Sequence, residues 1–235
     1  MKLHTNDLDQ PIGFPLPGWR VPEPPPREAL VGRYCRLEPL DPARHAEQLF
    51  AANALDDDGR GWTYLPYGPF ADCDAYLAWM SATCLGNDPL FHAVVDGASG
   101  KAVGVASYLR IEPRAGSIEV GHLRFSPLLQ RSPASTEAMY LLMKRAFALG
   151  YRRYEWKCDA LNAPSRAAAM RLGFVFEGIF RQAIVYKGRN RDTAWFSILD
   201  SEWPRLDVAF TRWLDPANFA LDGRQKQRLR DLMER

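Results

Sequence analysis

The stretch from residue 117 to residue 150 constrains the fold most, because it indicates a strand, a tight turn and a helix in direct succession. Residues 117–125 are rich in β-forming side chains and contain no proline, whereas apolar residues recur every three or four positions in 137–150, as in a helix. Ser132 followed by Pro133 is typical of a helix start, because Ser caps free amides and Pro suits the first helical position. A helix N-terminus at the end of a strand presents N–H groups and a positive dipole end, so it can hold a phosphate. Most such units are scaffold, however, so this stretch by itself does not identify a site.

A second unit of the same kind follows at once. Residues 151–158 predict a strand and residues 160–174 predict a helix, with Asn162 as its N-cap and Pro164 in its first turn. Both turns are rich in short hydroxyl and amide side chains. Two consecutive turns of this kind suggest two helix N-termini that flank one ligand.

These two turns and several flanking motifs resemble the GNAT acyl-CoA N-acyltransferases, and most closely the branch that contains the ribosomal-protein amino-terminal acetylases of RimJ/RimL type. The matching segments, within roughly residues 30–205, are Glu119-Val120-Gly121-His122, Gln130 to Ala138, Asn162-Ala163-Pro164-Ser165, Leu172-Gly173-Phe174, Glu177-Gly178 and Arg191 to Ser197. The resemblance implies an α/β fold whose mixed, mostly antiparallel sheet is flanked by helices and splayed between its fourth and fifth strands. It also implies that acetyl-CoA, as acyl donor, inserts into the gap.

The remaining patterns predict one domain with two extensions. In chain order they indicate strand, helix, helix, three strands, helix, strand, helix and two strands, the last two joined by a turn at 187–190. We assign residues 31–205 to the GNAT-like domain and residues 1–30 to a proline-rich N-terminal arm. Residues 206–235 form a C-terminal helical extension, which we expect to fray toward Arg235.

The N-terminal arm holds seven prolines between residues 11 and 26, which excludes a helix and favours an extended chain. It is either a loosely ordered leader or a segment whose Phe14 and Trp19 dock on a protein surface. That surface would belong to the domain itself or to the second subunit of a homodimer.

Charge and composition argue against several classes of protein. Thirty Lys and Arg residues against 28 Asp and Glu give a net charge of +2, which offers no reason to expect nucleic acid or an anionic membrane as partner. No apolar run reaches membrane-spanning length and the N-terminus shows no secretory signal, so we expect a cytoplasmic protein. The four cysteines are scattered without CxxC spacing and no histidine cluster accompanies them, which argues against a metal site or a disulfide framework.

The resemblance assigns the acetyl-CoA site to the two turns. The residues it implies are Leu123, Phe125, Gln130, Arg131, Ser132, Ala134, Ser135, Thr136, Asn162 and Ser165. The family's phosphate loop usually reads Gln/Arg-x-x-Gly-x-Gly/Ala, whereas this chain has Pro133 and Ser135 at the two small-residue positions. Proline supplies no N–H, but the first helical position is where that group is needed least. We therefore expect the loop to bind through the amides of residues 131, 132 and 134–136, with Arg131 as a direct phosphate partner.

Transfer of an acyl group from a thioester to an amine needs a base for the amine and a proton donor for the leaving thiolate, but no covalent intermediate. Glu119 is the candidate base, because it precedes Gln130 by eleven residues, the distance at which several GNAT relatives keep a catalytic Glu. Strand alternation would place Glu119 on the face of Leu123 and Phe125, opposite His122. Two alternatives remain: Glu119 is a structural carboxylate paired with an Arg, or His122 is the base.

Ser165 is the candidate acid for the thiolate. The Asn162-x-x-Ser165 spacing places both residues in the first turn of the second helix. There the hydroxyl would meet the CoA sulfur while the Asn amide bonds the pantetheine arm. The alternative is an ordinary capping pair.

In this family the loop between the first two helices and the final hairpin close over the acceptor, and here they are residues 56–70 and 180–197. The residues we assign to this wall are Trp62, Tyr64, Tyr67 and Arg181. We expect the loop aromatics to line a pocket, because a loop rich in Gly and Asp has little core of its own. Arg191 and Asp192 are expected to form a structural ion pair, and the alternative is that they orient a carboxylate or amine of the substrate. Some ribosomal-protein acetylases carry an acidic residue where this chain has Ile184.

The leading hypothesis is therefore an enzyme that transfers an acetyl group from acetyl-CoA to a primary amine of a small molecule or of a protein N-terminus. The alternative is a non-catalytic acyl-CoA-binding or partner-binding module on the same fold. Pro133 and the missing acid at Ile184 are the two observations that favour the alternative.

Overall fold

A computed structural model describes residues 4–234, which form one large sheet with helices on both faces and a small two-stranded sheet in the arm. The strands are β1 (His4–Thr5), β2 (Pro11–Ile12), β3 (Leu30–Val31), β4 (Cys35–Pro39), β5 (Leu90–Asp96), β6 (Ala102–Glu112), β7 (Ser117–Phe125), β8 (Arg153–Asp159), β9 (Val175–Tyr186) and β10 (Arg189–Leu199). The α-helices are α1 (Pro42–Asn53), α2 (Cys73–Thr83), α3 (Pro133–Ala148), α4 (Ala163–Arg171), α5 (Trp203–Trp213) and α6 (Leu229–Met233). Two 3₁₀ turns lie at Arg60–Trp62 and Pro216–Asn218.

The large sheet has the strand order β3-β4-β5-β6-β7-β8-β10-β9, and every neighbouring pair is antiparallel except β7 and β8. These two central strands pair in parallel only from Ser117–Val120 to Arg153–Trp156, and the pairing then stops. Beyond that point the strands part, so their backbone edges face a gap. The predicted fold, a mostly antiparallel sheet splayed between its fourth and fifth main strands, is confirmed.

A β-bulge in β7 overturns the predicted alternation of faces. Between the pairs Val105–Arg124 and Ser107–Gly121, β7 advances three residues while β6 advances two, and His122 takes a left-handed φ of 51°. Leu123 and Phe125 therefore pack on the core beside α3, whereas the His122 ring contacts Phe91 and Tyr67 on the α1–α2 side. Glu119 lies on that second side beside Gly121. The prediction that His122 faces away from Glu119 is thus wrong, because strict alternation does not hold across a bulge.

A buried carboxylate fixes the N-terminal half of α3 against the first strands of the sheet. Glu137 is 5 % exposed and accepts the backbone N–H groups of Arg33, Tyr34 and Cys35 at 2.8, 2.6 and 2.8 Å. Gly32 has no space for a side chain, since a Cβ there would lie 2.4 Å from the Glu137 carboxylate. The first turn of α3, with its free N–H groups, is held in place by this contact.

The N-terminal arm docks on its own domain. Trp19 is half-buried and packs over Gly116, while Pro22 and Pro25 are buried. Phe14, by contrast, remains 50 % exposed. The arm therefore docks on the domain at Trp19, Pro22 and Pro25, as one of the two alternatives predicted. Phe14 does not dock there.

The C-terminal extension packs onto the domain through α5 and α6, while the connecting residues 220–228 are exposed. Its apolar residues recur at helical spacing, and Leu229, Leu232 and Met233 are buried in the core that contains Leu206. The expected fraying toward the C-terminus is therefore wrong. Although most residues of this segment are polar, burial of these three apolar side chains holds α6 on the domain. Helix α5 crosses the boundary we placed after residue 205, and the division into three segments stays a prediction. Within residues 4–234, no helix has the length and apolar character needed to cross a membrane.

Candidate active site

A cavity of about 670 Å³ opens where β7 and β8 part. Nine of the ten residues expected to bind the cofactor line it: Leu123, Phe125, Gln130, Arg131, Ser132, Ser135, Thr136, Asn162 and Ser165. The exception is Ala134, which is 6 % exposed and packs into the core. The two helix N-termini inferred from the sequence therefore border one cavity.

The wall formed by the start of α3 carries unpaired backbone donors. Ser132 is the N-cap, its Oγ accepting the Ser135 N–H at 3.2 Å, and Pro133 occupies the first helical position, as predicted. The N–H groups of Arg131, Ser132 and Ala134 form no hydrogen bond with any other residue in the 4–234 range. Arg131 itself has a left-handed φ of 58°. Donors that have no partner at a helix N-terminus suit a phosphate, and Pro133 removes none of them.

The second helix N-terminus holds a hydroxyl in a defined orientation. Asn162 Oδ1 accepts the Ser165 N–H at 3.1 Å, which is the expected cap of α4. The indole Nε1 of Trp156 donates to Ser165 Oγ at 3.0 Å, and both residues line the cavity. Because Oγ accepts this bond, its own proton is available for another partner. Trp156 thus fixes the orientation of the Ser165 side chain, a contact that its place on a strand did not reveal.

Glu119 lies in a buried network of charges rather than in the cavity wall. Its side chain is 3 % exposed, with Oε1 2.8 Å from Arg110 Nη1 and Oε2 2.8 Å from Lys157 Nζ. Lys157 Nζ also lies 2.7 Å from Glu155 Oε2. Burial raises the pKa of Glu119, although the charges of Arg110 and Lys157 oppose that shift. Glu119 therefore forms the ion pair with an arginine that we would expect if its role were structural rather than catalytic.

His122 shares a face with Glu119 and contacts the loop before α2. Its Nδ1 lies 3.2 Å from the Tyr67 hydroxyl, and the two rings stack with centroids 5.6 Å apart. Burial, followed by the charge of Arg110, lowers the pKa of His122 to about 4. The imidazole is therefore neutral at pH 7 and is a weak base.

The loop before α2 and the β9–β10 hairpin meet over this face of the sheet. Lys187, in the hairpin turn, donates to the carbonyl oxygens of Trp62 and Gly68 at 2.9 and 2.7 Å. Arg189 donates to the Thr63 carbonyl at 2.8 Å. Tyr64 connects the same loop to the turn before α4 through a 3.2 Å bond from its hydroxyl to the Leu161 carbonyl. The two segments expected to close over the acceptor are therefore in contact.

Trp62 does not line the cavity. Its side chain is 6 % exposed and packs edge-on against Phe70 and Tyr76, with the Arg124 guanidinium 4.6 Å from its ring centre. The expectation that this loop lacks a core of its own is wrong. Its aromatic residues form one with α2, which the periodicity within either segment alone could not show.

The arginines of the hairpin lie elsewhere. Arg181 lines a separate, open depression together with Asp192 and does not reach the main cavity. The expected ion pair between Arg191 and Asp192 is also wrong. Asp192 Oδ1 instead accepts the Gln182 N–H at 2.8 Å, while Arg191 Nε donates to Thr193 Oγ1 at 3.2 Å.

Comparison with known proteins agrees with this architecture. A family model described as "Acetyltransferase (GNAT) domain" matches residues 35–175. A GCN5-related N-acetyltransferase from Brucella melitensis is 48 % identical with a TM-score of 0.91, covering 94 % of this chain and 100 % of its own. The chain belongs to the GNAT acetyltransferases.

Two further structures extend the comparison. A GNAT-family chain from Chromobacterium violaceum ATCC 12472 is 47 % identical with a TM-score of 0.77, covering 83 % of this chain and 98 % of its own. The microcin C7 self-immunity acetyltransferase MccE, solved with acetyl-CoA and AMP, is 20 % identical with a TM-score of 0.63 over 72 % of this chain and 93 % of its own, and shares the fold. No curated protein matches the chain.

GNAT acetyltransferases take their acyl group from acetyl-CoA, and acetyl-CoA is the donor here. The residues of the cavity fit it. The α3 N-terminus and Arg131 suit phosphates, and the parted edges of β7 and β8 offer backbone groups that can bond an amide-containing arm. Among residues 4–234, no group of three or more His, Cys, Asp or Glu side chains is placed to hold a metal ion.

Proposed function

We propose that this GNAT acetyltransferase acetylates the primary amine of a compact acceptor, either a small molecule or the first residues of a protein N-terminus. The observation that carries the proposal is the Ser165 hydroxyl, which the Trp156 indole and the Asn162 cap hold in the cavity wall beside the parted strands. When bound, acetyl-CoA supplies the thioester.

Ser165 is proposed to donate its proton to the leaving sulfur. Its Oγ already accepts the Trp156 N–H, so the hydroxyl proton is available either to the neighbouring Cys158 thiol or to a sulfur in the cavity. The positive end of the α4 dipole lies at the same place and stabilises negative charge that develops there.

Glu119 is proposed as the base. Burial raises the pKa of Glu119, which makes its carboxylate a stronger base. Burial lowers the pKa of His122 to about 4, which makes its imidazole a weaker one. At 3 % exposure Glu119 does not reach bulk solvent, so a water molecule would have to carry the proton from the amine. An α-amine, with a pKa near 8, gives this base an easier task than a lysine side chain, with a pKa near 10.4.

The compact acceptor is supported by the contact between the loop and the hairpin. Lys187 and Arg189 donate hydrogen bonds to three carbonyl groups of the loop before α2. These bonds hold the hairpin against the loop and so narrow the space proposed for the acceptor. A closed wall of aromatic residues with few polar groups suits a small amine better than a long flexible peptide. Tyr64 and Tyr67 remain in this wall as proposed acceptor contacts.

The RimJ/RimL-type branch is part of the proposal on the strength of the sequence motifs. A ribosomal-protein N-terminus is therefore one acceptor to test. Ile184, at the position where some of these acetylases carry an acid, removes one charge that a positively charged N-terminus would meet.

The test is release of free thiol from acetyl-CoA by the purified chain with a panel of acceptors. The panel contains small primary amines, short peptides with free N-termini, and the same peptides N-terminally blocked with an internal lysine. We expect turnover with members of the first two groups and little with the third. Stabilisation by acetyl-CoA without thiol release from any acceptor would support the non-catalytic binding module instead.

Glu119→Gln is expected to lower turnover by about 10²- to 10⁴-fold, the usual contribution of a general base, with the KM for acetyl-CoA retained. Glu155→Gln is the matched control, because Glu155 shares Lys157 with Glu119 and is also buried. An equal fall in both variants would assign Glu119 a structural role in the network. Full activity in Glu119→Gln at every pH would assign the proton transfer to His122 or to solvent.

A further inference from the structure

Part of the cavity wall comes from residues beyond the matched domain. The family model ends at residue 175, but Trp213, Phe219, Gly223 and Gln225 line the same cavity as the start of α3. We call residues 213–225 the C-terminal loop. The loop therefore adds residues from outside the matched part of the chain to the wall of the cavity.

Hydrogen bonds and one aromatic contact hold parts of the C-terminal loop against α5, while residues 220–225 are exposed. Trp213 Nε1 donates to Gln225 Oε1 at 2.7 Å, and the Phe219 ring packs edge-on against Trp213 with centroids 5.2 Å apart. The buried Asn218 amide donates to the Trp213 carbonyl at 3.0 Å and to the Gln227 carbonyl at 3.2 Å. Helix α6 then anchors the following residues in the core.

Arg171 places a positive charge between the C-terminal loop and α3. Its Nη1 donates to Thr136 Oγ1 at 3.1 Å, and its guanidinium lies 5.2 Å from the Trp213 ring centre. It forms no ion pair with any acidic side chain of residues 4–234, whereas Arg124 in the same cavity pairs with Asp56 at 2.9 Å. The Arg171 residue is exposed to solvent at the cavity mouth, although the atoms packed around its guanidinium lower its pKa.

We infer that Arg171 and the C-terminal loop form the subsite for the phosphorylated adenosine end of acetyl-CoA. Arg171 binds a phosphate of the nucleotide, since a guanidinium without an acidic partner beside a helix N-terminus is a strong anion site. Phe219, which is partly buried, supplies an apolar wall against which a nucleotide packs, and the 4 % exposed Trp213 supports it from behind. The inference rests on acetyl-CoA being the donor, as in the proposed function.

The experiment compares three acetyl donors that share the thioester: acetyl-CoA, acetyl-dephospho-CoA without the 3′-phosphate, and acetyl-pantetheine without the nucleotide. For Arg171→Gln we expect kcat/KM with acetyl-CoA to fall about 10- to 100-fold, as for loss of a charged hydrogen bond, and kcat/KM with acetyl-pantetheine to stay unchanged. Arg166→Gln is the control on the same helix, because Arg166 does not line the cavity and is expected to leave both values unchanged.

The donor series also shows which phosphate Arg171 binds. A fall with acetyl-CoA alone identifies the 3′-phosphate, and a fall with both nucleotide donors identifies the diphosphate. Either result supports the subsite. An equal fall with acetyl-pantetheine would overturn it, because Arg171 would then support the fold or the chemistry.

Phe219→Ala provides a second variant that keeps the charge. We expect it to raise the KM for acetyl-CoA several-fold and to leave that for acetyl-pantetheine unchanged. Calorimetric titration of CoA and of pantetheine into the wild type and both variants measures the same differences without turnover. Absence of thiol release with every donor and acceptor would refute the proposed function, whereas the titration would still decide the subsite.

Discussion

At the scale of single residues, the site depends on which polar side chains already have partners. The Ser165 oxygen accepts a hydrogen bond from Trp156, so its hydroxyl proton can be donated to another group, and the Cys158 thiol is one group within reach. Glu119, in contrast, contacts two cations and is closed off from solvent. The sequence identified both residues by their spacing, but only their partners distinguish a donor in a cavity wall from a carboxylate within a network.

Ser165→Ala tests the proposed acid. We expect kcat to fall about 10- to 100-fold, at the lower end for acid catalysis because water can also protonate a thiolate, with acetyl-CoA affinity retained. Trp156→Phe keeps the hydroxyl but removes its donor, so it should show a smaller fall. Steady-state kinetics with each variant gives both values. A Ser165→Ala enzyme with wild-type kcat would leave the residue only its capping role.

His92 makes stability depend on pH. It is 1 % exposed, and burial, followed by the charge of Arg27, lowers its pKa from 6.5 to about 4. The unfolded chain therefore takes up this proton at a higher pH than the folded chain, so stability falls as the pH drops from about 6.5 to about 4.

Urea unfolding of wild type and His92→Leu measures this effect. Between pH 7.5 and pH 5 the wild type should lose about 2 kcal/mol more than the variant, because all other titrating groups act equally in both. Equal losses would mean that His92 titrates alike in the folded and unfolded states.

At the scale of secondary-structure elements, most segments formed where their local signals placed them. Asp41, Asp72, Ser132 and Asn162 cap α1 to α4 as N-cap residues do, and the hairpin turns at Lys187 and Gly188. The differences arise where one element acts on another. The bulge at His122 depends on the register of β6, and the loop before α2 gains a core only through contact with α2.

Trp62→Ala tests the role of that loop. Because Trp62 is buried among Phe70, Tyr76 and Arg124, we expect a loss of about 3–5 kcal/mol in stability rather than a selective rise in acceptor KM. Tyr64→Phe is the control in the same loop, since it removes only a partly exposed hydroxyl and should change stability by less than about 0.5 kcal/mol. Chemical unfolding of both variants measures the loss of stability, and steady-state kinetics measures the acceptor KM. A stable Trp62→Ala protein with altered acceptor KM would restore the acceptor role.

At the scale of the whole molecule, one cavity is assembled from distant parts of the chain. The turn before α3, the start of α4 and the C-terminal loop all contribute to its wall. Ligand binding should therefore stabilise the domain and its C-terminal extension together. A homodimer, one of the alternatives raised by the sequence, is still untested, and light scattering of the purified protein would test it.

Acetyl-CoA at 100 times its dissociation constant should add about 2.7 kcal/mol to the free energy of unfolding, visible as a rise in Tm. Ser135→Glu should abolish that rise, because it places a carboxylate at the α3 N-terminus opposite the phosphates. Ala43→Glu puts the same charge in the first turn of α1, away from the cavity, and should keep the rise. No rise with wild type at millimolar acetyl-CoA would contradict the cofactor site.

The sequence by itself determined the elements that local forces set. Helix caps, apolar periodicity and turn residues act within a few positions, so the order of strands and helices and the two helix N-termini at the cavity were predictable. The bulge that brings His122 to the face of Glu119, the core position of Trp62 and the approach of Arg171 to Trp213 were decided only by the tertiary structure. Each depends on contacts between segments far apart in the chain, and no local pattern encodes which distant side chain completes a hydrogen bond, an ion pair or an aromatic core.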